Sequence, residues 1–166
     1  MNATETIQAA LSTSFDWTLQ LAEDLADAPL TDPTGCQGNH PLWVMGHMAF
    51  SRGGLLAMIT GEESQVAQWK ELFSGGTEPS YDASKYPSYG DVLQAYRDIH
   101  QQTLVKLNEI GESGLDAKPA FVWDMLADRS DFQSKGHIFL LIAMHEMSHR
   151  GQLADARKAL SRQPFV

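Results

Sequence analysis

Two histidines four residues apart lie inside an apolar segment near the end of the sequence. His145 and His149 belong to the run I-F-L-L-I-A-M-H-E-M-S-H-R-G-Q-L, which covers residues 138–153. On an α-helix, residues four apart differ by about 40° in azimuth, so both imidazoles point the same way, one turn apart. This spacing allows the two side chains to bind one metal ion.

The same stretch matches the metalloprotease pattern H-E-x-x-H, in which the glutamate is the general base. Given two histidines at this spacing, a glutamate in second place arises from composition about once in twenty times. Such proteases usually take their third ligand from well downstream, whereas the 17 residues after His149 contain no histidine and no glutamate. The pattern is therefore weak evidence for a protease.

A third ligand must come from upstream, because open catalytic sites usually have three protein ligands. Asp155 is the one acid after His149, and it lies on the same predicted helix, from which it can scarcely fold back. The best candidate is His47, which follows a glycine in the apolar stretch N-H-P-L-W-V-M-G-H-M-A-F.

Length and charge limit the classes of protein and partner. With 166 residues we predict a single domain, residues 1–166, large enough to bury polar ligands in a core. The net charge is −9, from 21 acidic and 12 basic residues, so we expect no nucleic-acid partner. We find no leader sequence and no apolar run that approaches a membrane span, and therefore expect no membrane partner. The single cysteine, Cys36, fits a reducing compartment, so we predict a cytoplasmic protein and no role for this loop thiol.

Hydrophobic periodicity predicts an all-α protein with four helices and no strand. The connection between the second and third helices, residues 62–87, is long enough for a crossover and has room for a short helix near residues 66–72. We predict a four-helix bundle with long crossover connections. The expected helices span residues 4–28, 41–59, 88–110, and a last segment that starts at Ser130 or Ser134 and ends near 161.

Two motifs in these helices resemble those of a known family. The second helix carries N-x-x-x-W-x-x-G-H, from Asn39 to His47, and the last carries H-x-x-x-H-x-G-Q, from His145 to Gln152. With this order, spacing and helix count, nearly the whole chain resembles the DinB/YfiT-like metalloenzyme family. The resemblance implies a four-helix bundle with an uncommon crossover and a divalent metal ion held by three histidines. By position these ligands are His47, His145 and His149.

The resemblance also implies candidate reactions. Some relatives transfer low-molecular-weight thiols such as bacillithiol or mycothiol, and one branch isomerises maleylpyruvate with mycothiol. Members of the family are often dimers, so a homodimer is one expected assembly.

Three neutral imidazoles leave a divalent ion its charge and an open position, where a thiol binds as its thiolate or a water molecule has a lowered pKa. The leading hypothesis is a metal-dependent enzyme that transfers a low-molecular-weight thiol to a small electrophilic substrate. The alternatives are metal-assisted hydrolysis of a small amide or ester, and a non-enzymatic metal- or ligand-binding stress protein. For the divalent metal ion we expect Zn or Ni first, with Fe, Co, Cu or Mn as alternatives.

Glu146 is the one weak catalytic candidate. It differs by about 100° in azimuth from His145, and it precedes Arg150 by four residues in the order that favours a helical ion pair. We expect it off the metal axis, paired with Arg150 or in solvent. A role as the general base of hydrolysis is the weaker interpretation.

The other residues around the motifs have structural interpretations first. We expect Trp43 in the core, close helix approach at two glycines, and Gln152 beside a ligand imidazole or a bound water. We expect His100 and His137 to be structural, with the pocket entrance as an alternative for His137. We expect His40 either at the mouth of the site or at an ordinary helix-entry position. The two glycines are Gly46 and Gly151.

Overall fold

The computed structural model describes residues 1–32, 38–163 and 165, and these contain helices and no strand. The all-α prediction is confirmed for this part of the chain, while Cys36 lies outside it. Short 3₁₀ turns occur in the connections, at Ala67–Trp69, Ala83–Lys85, Asp124–Leu126 and Ser130–Phe132. The α-helices are α1 (Ala3–Asp24), α2 (Pro41–Thr60), α3 (Lys70–Phe73), α4 (Tyr89–Gly114) and α5 (Lys135–Ala159).

Side-chain caps fix where the long helices begin. At α1 the side chain of Asn2 accepts the amide of Glu5 while the carboxylate of Glu5 accepts the amide of Asn2, so two otherwise unpaired donors are satisfied. Ser134 rather than Ser130 caps α5, because residue 130 begins a 3₁₀ turn instead. The caps of α2 and α4 are His40 and Ser88.

One predicted helix end is wrong, and a second is masked by a kink. The first helix ends at Asp24 rather than at residue 28, because the amide of Leu25 already closes the last turn on the carbonyls of Leu21 and Ala22. Helix α4 continues past residue 110 to Gly114, but it is kinked at Gly111, whose backbone is not helical (φ 60°, ψ 178°). Regular helix therefore stops where the sequence predicts, and a short turn continues beyond the kink.

The four long helices pack in four pairs, in which α1 and α2 each contact both α4 and α5. The short helix α3 packs against α2, where Phe73 is fully buried. Contrary to the sequence prediction, α2 is long and apolar enough to cross a membrane by length and composition. Its most apolar window is 78% buried by the rest of the protein, as in the core helix of a globular fold.

A buried carboxylate joins all four long helices. Glu146 on α5 is 1% exposed and accepts a hydrogen bond of 2.6 Å from Nη1 of Arg52 on α2. It also accepts bonds of 2.6 Å from Ser14 on α1 and 2.9 Å from Tyr96 on α4. Burial raises the pKa of Glu146, and the guanidinium of Arg52 opposes that rise.

The predicted ion pair between Glu146 and Arg150 is wrong. Arg150 lies over the ring of Trp17, with 5.6 Å between the guanidinium carbon and the ring centroid. Glu146 projects into the core, where a carboxylate is tolerated only with a charged or hydrogen-bonding partner, and Arg52 of α2 supplies it. The spacing rule for helical pairs applies to exposed faces, and Glu146 is not on one.

We predict that Glu146→Gln lowers the free energy of unfolding by about 3–5 kcal/mol, because it leaves the charge of Arg52 buried and unpaired. The double variant Arg52→Met, Glu146→Leu should regain most of this loss, since it removes both buried charges. Urea unfolding measures both. The matched control is Glu23→Gln, which breaks an exposed pair with Arg97 of the same 2.6 Å length and should change stability by less than about 1 kcal/mol. Equal effects of the two glutamine variants would contradict the buried-pair interpretation.

A second prediction concerns acid sensitivity. His100 stacks on Phe15, with ring centroids 3.8 Å apart, and burial, with the charge of Arg52, lowers its pKa from 6.5 to about 3. Between these values the unfolded chain binds a proton that the folded protein does not. Stability from this group is complete above pH 6.5 and falls toward pH 3, by about 1.4 kcal/mol per pH unit.

The variant His100→Gln should therefore lose less stability than the natural protein between pH 7 and pH 4. Thermal unfolding across this range measures the difference. His145, whose pKa is lowered to about 4, titrates in both proteins and cancels in the comparison. Parallel stability curves for the two proteins would show that His100 is not the group responsible.

Candidate metal centre

The three histidines predicted as metal ligands converge between α2 and α5. His47 comes from α2, and His145 and His149 come from successive turns of α5. One ring nitrogen of each lies within 4.8 Å of the corresponding nitrogens of the other two. The Nε2 atoms of His47 and His145 are 3.3 Å apart. Two nitrogens bound to one tetrahedral ion at 2.0–2.1 Å are separated by about 3.4 Å, so the spacing fits a divalent metal ion.

A backbone carbonyl orients the imidazole of His47. Its Nδ1 lies 2.7 Å from the carbonyl oxygen of Phe73 and donates a hydrogen bond to it. Nε2 then carries the lone pair and faces the other two histidines, as a metal ligand requires. The sequence did not predict this contact, because it comes from the main chain of the connection after α2.

Gly46 makes that contact sterically feasible. A Cβ atom built at Gly46 would lie 2.2 Å from Cε1 of Phe73, so only glycine lets the aromatic ring pack here. The expectation of close approach at Gly46 is confirmed, although the approaching element is α3 and not a long helix. At Gly151 the expectation is wrong. Apart from its chain neighbours and its own helical backbone, no atom of the described residues lies within 4 Å of a Cβ built there, and this part of α5 faces outward.

Gln152 orients the third imidazole. Its Oε1 lies 3.2 Å from Nδ1 of His149, and an amide oxygen accepts, so Nδ1 is the donor. The lone pair of His149 is then on Nε2. This agrees with the expectation that Gln152 holds a ligand imidazole.

Trp43 packs in the core, as expected, and also restrains His47. The indole is 4% exposed and stacks on the imidazole with 4.8 Å between ring centroids and 5° between planes. Its Nε1 donates to Thr77 Oγ1 at 3.1 Å, which anchors the indole to the connection beyond α3. The four-residue spacing of Trp43 and His47 on one helix face was the sequence signal for this contact.

Two of the three imidazoles, those of His47 and His145, are held in the neutral, ligand-competent state. Burial lowers the pKa of His47. The hydrogen bond to the Phe73 carbonyl raises this pKa by a smaller amount, and His149 lowers it slightly further. Burial, followed by repulsion from the other two histidines, lowers the pKa of His145 to about 4. At neutral pH these two imidazoles therefore keep the lone pairs that a metal ion needs.

Glu146 does not belong to this cluster. Its Oε1 accepts from Arg52 and Tyr96 and its Oε2 accepts from Ser14. The carboxylate therefore lies off the metal axis, as expected, but with buried partners instead of the predicted surface pair. To act as a general base it would have to leave these partners.

The other histidines have structural contacts. His40 is fully buried, with Nδ1 accepting the amide of Trp43 and Nε2 lying 2.9 Å from the carbonyl of Ser80. His137 is exposed at the start of α5, with its Nδ1 2.8 Å from the hydroxyl of Ser134. None of these contacts reaches the cluster, and His100 stacks on Phe15 as described above.

The helices and the histidine cluster define an all-α protein with a candidate divalent-metal centre. The sequence profile of the DinB superfamily matches residues 10–153, a range that contains all three histidines. The chain belongs to this superfamily, and the resemblance seen in the two motifs is confirmed. No curated protein matches the chain significantly.

Gly46→Ala tests the packing behind His47. The added methyl group must displace the Phe73 ring, so we expect a loss of about 1–3 kcal/mol in stability and of about 10- to 100-fold in Zn²⁺ affinity. Gly151→Ala is the matched control. It has open space, should be neutral or stabilising by up to about 1 kcal/mol, and should bind Zn²⁺ normally.

Urea unfolding and calorimetric Zn²⁺ titration measure the two effects. Normal Zn²⁺ affinity in Gly46→Ala would show that the Phe73 carbonyl does not determine the orientation of His47.

Proposed function

We propose that this protein binds a divalent metal ion through His47, His145 and His149 and transfers a low-molecular-weight thiol to a small electrophile. One observation carries the proposal: three imidazoles converge, the Nε2 atoms of His47 and His145 lie 3.3 Å apart, and hydrogen bonds at Nδ1 leave the lone pairs of His47 and His149 on Nε2. Among the described residues, the cluster contains no cysteine and no carboxylate. Three ligands of this kind leave a position for an external molecule.

A divalent ion held there would lower the pKa of a bound thiol, so that the thiolate predominates near neutral pH. The protein residues supply position rather than covalent chemistry. The Phe73 carbonyl and Gln152 fix two imidazoles, and Trp43 holds the ring plane of His47. In the transfer, the thiol gives up its proton and its sulfur forms the new bond to the electrophilic carbon. At the same time the bond from that carbon to its leaving group, or a π bond at that carbon, breaks. The displaced electron pair goes to the leaving group or to the far atom of the π bond, which takes up the proton.

The position of Glu146 favours thiol transfer over hydrolysis. Hydrolysis of an amide or ester benefits from a general base beside the attacking water. The carboxylate next to His145 in sequence is 1% exposed and bonded to three protein groups. A thiolate needs no such base, because it is already deprotonated.

The proposal also covers the identity of the metal ion, the packing of the four long helices, and the substrate and location of the protein. Zn or Ni is the proposed ion, since all-imidazole sites suit several late divalent metals. We infer that the four long helices form one bundle domain with crossover connections, because α1 and α2 share the same two neighbours. A small-molecule substrate fits the acidic charge, whereas nucleic acid does not, and the single cysteine fits a reducing compartment such as the cytoplasm.

The test uses the full chain without a histidine tag, loaded with Zn²⁺ or Ni²⁺ and assayed on electrophiles, amides and esters with and without a low-molecular-weight thiol. We expect turnover of an electrophile that requires both metal and thiol. His145→Ala should lose metal and turnover. His137→Ala, two turns earlier on the same helix and exposed, is the matched control and should keep both.

Turnover of amides or esters without thiol would replace transfer by hydrolysis. No turnover on the whole panel by metal-loaded protein would reject an enzymatic role and leave a metal-binding protein.

A further inference from the structure

A serine hydroxyl also reaches the metal-facing edge of the histidine cluster. Ser51 lies one helical turn after His47 on α2, is half-buried, and has its Oγ 3.4 Å from His47 Nε2. This is the nitrogen that keeps a lone pair, because Nδ1 donates to the Phe73 carbonyl. No motif in the sequence marks Ser51, although its spacing from His47 places both on one helix face.

The direction of this hydroxyl differs from that of two helical threonines, Thr60 and Thr103. Serine and threonine within helices often donate to the carbonyl four residues earlier. Thr60 and Thr103 do so, at 3.0 Å and 2.7 Å. The Ser51 hydroxyl instead faces the imidazole four residues earlier, and therefore lies at the cluster.

A metal ion bound to His47 Nε2 would take the lone pair that the Ser51 hydroxyl faces at 3.4 Å. The hydroxyl would then need another acceptor, and a molecule bound to the ion beside His47 would supply one. That molecule must be able to accept a hydrogen bond. A thiolate sulfur does so well because it is charged, whereas the thioether sulfur of a transfer product is a weak acceptor.

We propose that the Ser51 hydroxyl donates a hydrogen bond to the thiolate in the open position of the metal centre, and so favours the thiolate over the thioether product. This inference rests on the proposed function. It assigns Ser51 a direct contact with the reacting sulfur, in addition to the three histidines.

The first experiment tests the position of the side chain with Co²⁺ alone. In a Cys36→Ser background, which removes the one natural thiol, Ser51→Cys places a thiol where the hydroxyl lies. We expect a thiolate-to-cobalt charge-transfer absorption in the near ultraviolet. Co²⁺ bound to the three histidines without this absorption would overturn the inference.

Ser148→Cys in the same background is the matched control. Ser148 lies between two of the ligands in sequence, but it is exposed and its hydroxyl donates to the carbonyl of His145 at 2.7 Å. It should bind Co²⁺ without the charge-transfer absorption. The same absorption from both variants would mean that the signal does not report the position of Ser51, and would overturn the inference.

The second experiment titrates the Co²⁺ protein with 2-mercaptoethanol and follows the same absorption. We expect Ser51→Ala to keep its Co²⁺ affinity but to bind the thiol about tenfold more weakly, as the loss of one hydrogen bond to a charged acceptor predicts. Ser51→Thr, which keeps the hydroxyl, should bind it nearly normally.

The outcomes separate this inference from the proposed function. If the natural protein and Ser51→Ala bind the thiol equally well, the inference fails and the proposed function stands. If the natural protein binds Co²⁺ but no thiol, the proposed function fails, and the cysteine variants still decide where the Ser51 side chain lies.

Discussion

The ion pair between Glu146 and Arg52 determines how α2 and α5 lie against each other, and the histidine cluster depends on that placement. Glu146 follows His145 directly on α5, and Arg52 lies little more than one turn beyond His47 on α2. The pair and the cluster therefore join the same two helices at almost the same level. Hydrogen bonds to Ser14 and Tyr96 extend the restraint to α1 and α4. A sliding of one helix along the other would break this buried ion pair as well as separate the candidate ligands.

Much of the candidate site follows from local sequence. Two histidines four apart must share a helix face, and the capping residues Ser88 and Ser134 mark helix starts without reference to the rest of the chain. The partner of Glu146 does not follow in the same way. Arg52 is 94 residues away in sequence. Helical spacing gives the direction in which the Glu146 side chain points, but it does not say which residue of another helix lies in that direction. The four-residue spacing rule pairs Glu146 with Arg150, but that rule describes exposed helix faces. The packing that buries Glu146 is a tertiary property, and helical spacing does not predict it.

The metal centre also uses parts of the chain that carry no motif. The carbonyl of Phe73 has no side-chain identity, so no sequence pattern distinguishes it from other carbonyls. Its position is fixed where α3 packs on α2 at Gly46. This close contact is possible because glycine has no side chain to collide with the Phe73 ring. Ser51 was equally inconspicuous, since serine is common on half-buried helix faces. The three candidate ligands were therefore predictable from the sequence, while the groups that orient them were mostly not.

The bond between His47 and the Phe73 carbonyl couples the centre to a segment that is otherwise short of support. A four-residue helix has little stability of its own, and α3 stays folded through its packing and through this bond. Linkage requires that whatever α3 contributes to the affinity of His47 for an ion is returned as stability of α3 when an ion is bound. Amide hydrogens of the connection between α2 and α4 should thus exchange with solvent more slowly in the metal-loaded protein. The exchange rate of amide hydrogens in this connection would therefore show whether the site holds an ion, although the connection contributes no ligand.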